Sequence, residues 1–463
     1  MKKTVVIDVV GLCDKLIGEH TPFIEAFRGR NRSCKIRPVI PAVTCTAQAT
    51  YLTGEWPSTH GVVGNGWFFK DEQEVRFWRQ SNRLVQAPKI WDVMKKEDPA
   101  FTCANLFWWY NMYSGADYSV TPRPNYLADG RKIPDVYSQP AELRDELQQR
   151  LGTFPLFHFW GPKTSIKSSK WIAEASKYTE EKYDPTLTLI YLPHLDYNLQ
   201  RFGTHDAKIA ADLAEIDAVV KDLVTFYESR GAGIVLLSEY GISDADHPVH
   251  VNRVLREAGY LAIRRERGLE LLDAGASEAF AVADHQICHV YVKDLRKIDK
   301  VKALLSGIQG VGSILDKNEQ KELHLDHERS GDLVLLADDG SWFTYYYWHE
   351  NEKAPDFART VDIHKKPGYD PVEMFTDPEK PLMTLRVLWK LLAKKMGFRV
   401  LMDLIPLDAG LIKGSHGIVP ESNEEYPVFI TNSDFELPEE TDATGVFELI
   451  KQHLTTTSDE IVI

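Results

Sequence analysis

Cysteine is scarce in this 463-residue chain and scattered, with Cys13, Cys34, Cys45, Cys103 and Cys288 and no CxxC pair. An odd, dispersed set argues against a disulfide framework and against a cysteine-built zinc knot. Reduced thiols in a cytoplasm are the expectation. Long apolar runs are also missing. The run Thr4-Val-Val-Ile7 that follows Met1-Lys-Lys breaks at Asp8, too early for the apolar core of a signal peptide, and no run reaches the length of a membrane span. No membrane partner is therefore expected. Dense Lys/Arg runs are absent and the formal net charge is −14. Clusters such as Arg28-Gly-Arg-Asn-Arg32 read as solvated surface, so a nucleic-acid polymer is not an expected partner. Internal repeats and low-complexity blocks are lacking as well.

What is present is enough apolar material, 43% of the residues, for a large core. Lys3 to Val10, Leu187 to Leu192 and Gly233 to Ser238 read as buried parallel strands, β-branched and nearly continuous. An acidic residue lies at or just beyond the end of each: Asp8, Asp196 and Glu239. Between the last two strands, Asp206 to Ser229 carries apolar residues at helical spacing. Strand, helix and strand with carboxylates at the carboxyl ends describe an open α/β sheet whose site lies beyond those ends.

The segment from Pro41 to Asn65 adds a hydroxyl. Thr44 opens a helix-like run that Thr53-Gly54 ends, and a Pro-Ser-Thr-His-Gly turn leads on to Asn65. A carboxylate at a strand end with a hydroxyl at a helix N-terminus suits a metal-activated oxygen nucleophile, hence chemistry on phosphate or sulfate esters. Taken singly, Asp8 is a turn carboxylate and Thr44 an N-cap. His60 reads as structural, and nothing marks Cys45 as reactive.

Taken in order, Asp8, Pro41-x-x-Thr44, Thr53-Gly54, His60-Gly61, Asn65, Tyr191 to Gly203 with Asp196, Leu236-Leu-Ser-Glu-Tyr-Gly241 and Gly414-Ser-His-Gly417 resemble the nucleotide pyrophosphatase/phosphodiesterase branch of the alkaline phosphatase superfamily. The resemblance implies an α/β fold, a mostly parallel sheet sandwiched by helices, as one domain over 1–463. It is expected to carry an aromatic-rich cap inserted near 66–170 and a small mixed sub-domain near 265–360. It implies a phosphoesterase of the phosphodiesterase or nucleotide pyrophosphatase type, with Thr44 as nucleophile through a phospho-threonine and Asn65 donating its amide to a phosphoryl oxygen. Two divalent cations are implied, zinc first, with manganese or magnesium as alternatives. Asp8 and Thr44 belong to one and Asp196 and His416 to the other, while Glu239 stands where the family has a metal-binding aspartate. The substrate is expected to be a small phosphate ester. Trp108, Trp109 and Tyr110 in the cap would set its leaving-group pocket.

The pattern breaks at two places. The family's histidine shortly after the second aspartate is Gln200 here, and Asp-His-Gly becomes Glu239-Tyr240-Gly241. Candidates to replace the two imidazoles are Asp284 with His285, whose neighbouring carboxylate and ring can ligate or orient together, and His364. His194, His247 and His250 are weaker candidates. A phosphomonoesterase or phosphonate hydrolase shares the core and stays an alternative, and the missing histidines permit a non-catalytic binding or scaffold protein. A sulfatase does not fit, because Cys45-Thr-Ala-Gln-Ala49 lacks the arginine that branch needs. The helix expected at Leu382 to Met396 and a fraying tail from Glu436 complete the reading.

Overall fold

A computed structural model describes residues 1–456. Thirteen strands and four helices position the site. In chain order the strands are β1 (Thr4–Val9), β2 (Arg32–Arg37), β3 (Cys103–Leu106), β4 (Tyr118–Pro122), β5 (Val136–Gln139), β6 (Leu187–Leu192), β7 (Gly233–Leu237), β8 (Ala279–Asp284), β9 (Ile287–Val292), β10 (Val311–Leu315), β11 (Leu333–Ala337), β12 (Val428–Thr431) and β13 (Glu440–Asp442). The helices are α1 (Thr44–Thr53), α2 (His194–Phe202), α3 (Ala207–Glu228) and α4 (Met383–Lys395).

Nine strands form one sheet in the order β13-β2-β12-β7-β1-β6-β3-β4-β5. The run β7-β1-β6-β3-β4 is parallel throughout. β12 lies antiparallel to β7 and β2, and β5 antiparallel to β4. Helices cover the sheet, so β1, β6 and β7 are buried along their whole length. That double burial is why they read as continuous apolar runs instead of alternating ones.

Much of 66–170, expected as an inserted cap, belongs to the sheet itself. It supplies β3, β4 and β5. Trp108 is fully buried in the main core and Tyr110 in a smaller cluster. They are packing residues, not an open aromatic wall. Outside the sheet this stretch forms helices, among them Ile90–Glu97 and Glu142–Leu151, and two small hairpins, Gly66–Phe69 with Glu74–Phe77 and Asn125–Tyr126 with Lys132–Ile133.

A second, antiparallel sheet, β8-β9-β11-β10, occupies the stretch expected near 265–360 and has its own core. β8 and β9 form a hairpin turning at His285-Gln286, with His285 at φ 61°. A short strand over Ser341–Phe343 follows, and Tyr345, Tyr346, Tyr347 and Trp348 are buried in that core. Of the tail expected to fray from Glu436, the part up to 456 folds, and 457–463 lie outside the described residues. β13 pairs with β2, and the helix Gly445–Thr455 buries Phe447, Ile450 and Leu454. All five cysteines are free and buried.

α1 lies entirely in the interior, its ten residues all buried. Gly54 stops it in the left-handed region at φ 69°, with its N–H on Thr50 O at 2.9 Å. A Cβ there would stand 3.1 Å from Phe447. A Gly54→Ala variant is expected to lose about 1–2 kcal/mol of stability, the cost of an L-residue in that conformation; a denaturant titration followed by circular dichroism checks it.

Candidate active site

Asp8 sits on β1 beside Tyr191 of β6 and Leu237 of β7, so the three central strands deliver their acidic residues to one edge. Asp196 follows β6 in the first turn of α2, where the helix dipole favours a carboxylate. Glu239 lies two residues past β7. The chain there runs against Glu425, whose carbonyl oxygen would be 1.9 Å from a Cβ on Gly241. Only glycine permits that approach, and it sets the position of Tyr240.

Thr44 opens α1. Val43 precedes it in extended conformation and offers no side-chain cap. One of the free amide donors at this end, Cys45 N–H, is instead taken by Asn65 Oδ1 at 3.0 Å. Asn65 in turn donates its backbone N–H to Asp284 Oδ2 at 2.7 Å and its amide to Asp284 Oδ1 at 3.1 Å. The β8–β9 hairpin thus brings the second sheet into the site. His285 bonds Asp284 Oδ1 through Nδ1 at 2.8 Å.

Thr44 Oγ1 lies 3.1 Å from Tyr240 Oη, which donates to Asp196 Oδ1 at 3.2 Å. Glu239 faces Asp8, Gln48 and the Thr44 hydroxyl. Gln48, one turn along α1 from Thr44, donates to Glu239 and accepts from Trp109 N–H at 2.6 Å. Across the site, Gln200 Nε2 donates to Asp196 Oδ2 at 2.8 Å and its Oε1 accepts from Tyr369 Oη at 2.9 Å. Tyr240 stacks on His416 and Tyr369 on His285, each at 3.6 Å between ring centres. His416 Nδ1 donates to Ala42 O at 2.7 Å. That bond leaves its Nε2 as a lone pair, 3.7 Å from Asp196 Oδ1.

The structure therefore brings together Asp8, Thr44, Asn65, Asp196, Glu239, Asp284, His285 and His416. It does not bring in His364, which is exposed against Tyr126. The segment around it is exposed only at His364 and Lys365; from Lys366 onward it is buried and carries Tyr369 into the site. His247 is exposed, and His250 bonds Thr344 in a cleft of about 610 Å³ that contains none of the site residues. His194 faces α3, with Nε2 3.4 Å from Asp212 and 3.3 Å from Glu215. Gln48 and Tyr369 escaped the sequence reading. Gln48 had a signal, since it stands four residues after Thr44 on the same helical face. Tyr369 had none.

Electrostatics decide what this arrangement requires. Asp8, Asp196, Glu239 and Asp284 are all buried. Among the described residues their ion pairs come only from His285 and His416, and burial holds both rings well below their usual pKa, hence neutral. Burial pushes Asp8 and Asp196 up to about 7 and Asp284 to about 6. It pushes Glu239 well above the carboxylate range, and the Asp8 charge adds to the effect. Asp8 and Glu239 resist ionising together.

These residues fit a divalent cation at one position. Both oxygens of Asp8 and Oε2 of Glu239 are buried without a hydrogen-bond partner. With the Thr44 hydroxyl they form an all-oxygen donor set. The position around Asp196 does not fit a cation equally well. Each Asp196 oxygen already accepts a hydrogen bond, and the Gln200 amide turns its N–H₂ inward while its carbonyl faces Tyr369.

A model of the type I phosphodiesterase/nucleotide pyrophosphatase family matches residues 4–370. The chain belongs to this family. An uncharacterised pyrophosphatase/phosphodiesterase of Schizosaccharomyces pombe is 24% identical over 261 residues, which is 54% of this chain and 46% of the relative. Ectonucleotide pyrophosphatase/phosphodiesterase 2 of Saccharomyces cerevisiae is 22% identical over 283 residues, covering 54% of this chain and 50% of the relative. The chain spans about half the length of the curated relatives it matches. Among solved structures, murine ectonucleotide pyrophosphatase/phosphodiesterase 5 in complex with AMP matches with TM-score 0.60 and 13% identity over 99% of this chain and 96% of that one. Phosphonoacetate hydrolase from Sinorhizobium meliloti, bound to phosphonoformate, matches with TM-score 0.63 and 14% identity over 98% and 96%. At such identities the structural likeness establishes the fold, an alkaline-phosphatase-like α/β sheet.

The raised carboxyls give the metal-free protein a signature. Asp8 and Asp196 bind protons more tightly folded than unfolded, so stability is highest below the unfolded value near 4 and falls as pH rises towards 7. A divalent cation opposes this loss. Manganese is expected to raise the melting temperature more at pH 8 than at pH 5, which differential scanning fluorimetry with and without chelator checks.

Proposed function

We infer that this family member is a divalent-cation-dependent phosphoesterase of the phosphodiesterase type, with Thr44 as its nucleophile. The carrying observation is the Thr44 hydroxyl at the start of a buried helix, beside two buried carboxylates, Asp8 and Glu239, with partnerless oxygens. Asp8, Glu239 and Thr44 would hold the cation. When bound, it would lower the pKa of the threonine hydroxyl and neutralise phosphoryl charge.

The chain's own residues account for the rest. Gln48 orients Glu239, and Asn65 and Asp284 hold the entrance of α1. The amide protons at that entrance favour an anion in front of Thr44. Attack forms the Thr44 Oγ1–phosphorus bond, releases the hydroxyl proton to solvent and breaks the bond to the leaving oxygen, which departs with a proton from solvent. Water then cleaves the phospho-threonine, and Thr44 regains its proton. Asn65 keeps one amide N–H beyond its bond to Asp284, and we assign it to a phosphoryl oxygen.

Of the two zinc ions the resemblance implies, the donor chemistry supports one cation. An all-oxygen set favours manganese or magnesium. AMP and phosphonoformate, ligands of the structural neighbours, make a small phosphate or phosphonate ester the substrate class to test. A second reading, a non-catalytic binding protein, is favoured by Tyr240, whose hydroxyl engages both Thr44 and Asp196.

Thr44→Ala is expected to keep its fold and lose roughly a thousandfold or more in turnover of a bis-aryl phosphate with manganese. Wild-type turnover in that variant removes Thr44 as nucleophile, and no turnover in the wild type with any divalent cation supports the binding reading. Elemental analysis is expected to find one manganese per wild-type chain, and two once Gln200→His and Tyr240→His are combined.

A further inference from the structure

α4 has no buried residue. Leu385, Leu388, Trp389, Leu392 and Met396 recur at three- and four-residue spacing and share one face, yet that face points to solvent, with Trp389 65% exposed. The side turned to the protein is mixed, with Met383, Val387, Lys390, Ala393 and Lys394 half-buried. Lys390 donates to Leu401 O and pairs with Asp403, fastening the helix to the chain that follows it. A surface helix of a soluble monomer is normally arranged the opposite way.

The charge is equally local. From Leu382 to Leu401 there are five cations, Arg386, Lys390, Lys394, Lys395 and Arg399, and no carboxylate, in a chain of net charge −14. Arg386 and Lys395 fall on the flanks of the apolar stripe. Arg399 donates to Ala128 O at 2.8 Å and so joins this segment to a loop with exposed Tyr126, Leu127 and Ile133.

We propose that α4 is an in-plane membrane anchor that docks the protein on an anionic lipid bilayer. No helix among the described residues is long and apolar enough to cross a membrane. A helix with an apolar stripe, a tryptophan and flanking cations lies in the interface, its apolar side chains among the acyl chains and its cations at the headgroups. Charge complementarity selects the lipid surface over a second copy of the chain, because pairing two such helices would oppose two segments of five cations each. The membrane partner excluded from the sequence by the absence of a spanning run returns here as a surface.

Flotation of the full-length protein with phosphatidylcholine vesicles, with and without phosphatidylserine, tests the proposal. The wild type is expected to float with the serine-containing vesicles only, and to be released by salt. Arg386→Gln and Lys395→Gln are each expected to weaken partition about fivefold. Leu388→Ser combined with Trp389→Ser is expected to abolish it, with an unchanged circular dichroism spectrum. Absence of flotation at low salt, or equal flotation of the Leu388/Trp389 variant, overturns the proposal. So does a wild-type dimer in analytical ultracentrifugation that this variant turns into a monomer.

Discussion

Four carboxylates converge where the central strands end, and among the described residues no charged cation pairs with them. Removing ionised carboxylates from water costs several kcal/mol each unless a partner compensates. Here the nearby imidazoles are neutral, and the nearest donors are an asparagine, two glutamines and a tyrosine. Amides and hydroxyls satisfy Asp196 and Asp284. They leave Asp8, and one oxygen of Glu239, without a partner. The site is therefore divided into a half whose carboxylates are closed by hydrogen bonds, with His416 Nε2 left over, and a half whose carboxylates are electrostatically unfinished. The rest of the architecture serves to maintain that second half.

The parallel run of five strands fixes Asp8, Asp196 and Glu239 at one edge. α1, enclosed between the two sheets, fixes Thr44. The second sheet reaches in through the His285-Gln286 turn, and Gln286 N–H bonds His416 O at 2.9 Å, tying that turn to the loop that carries His416. Each of the two sheets has a core of its own. The geometry at Thr44 is thus held from several sides, as a preorganised nucleophile requires.

The strands that carry the site were legible because double burial writes itself as continuous apolar sequence. Leu187 to Leu192 is strand over that whole span, and Lys3 to Val10 and Gly233 to Ser238 are each trimmed by one or two residues. The aromatic stretch around Trp108 misled because aromatic density marks a core as readily as a ligand wall. His364 misled because a histidine near a glycine-proline turn carries no record of which way the turn faces. Asp284 and His285 could not be placed beside Asn65 without the hairpin, since a one-residue difference in where β8 ends decides which side chains face that way. α4 was legible as a helix, but its exposure was not. Periodicity locates an apolar stripe and is silent about whether protein or something else covers it.

The central claim is that one cation lies among Asp8, Glu239 and the Thr44 hydroxyl. Anomalous diffraction at the manganese edge, from crystals of the wild-type protein grown with that ion, tests it most directly. The account predicts a single strong peak bounded by the Asp8 carboxylate, Glu239 and Thr44 Oγ1. A peak between Asp196 and His416 with none beside Asp8, or no peak at this edge of the sheet, would contradict it.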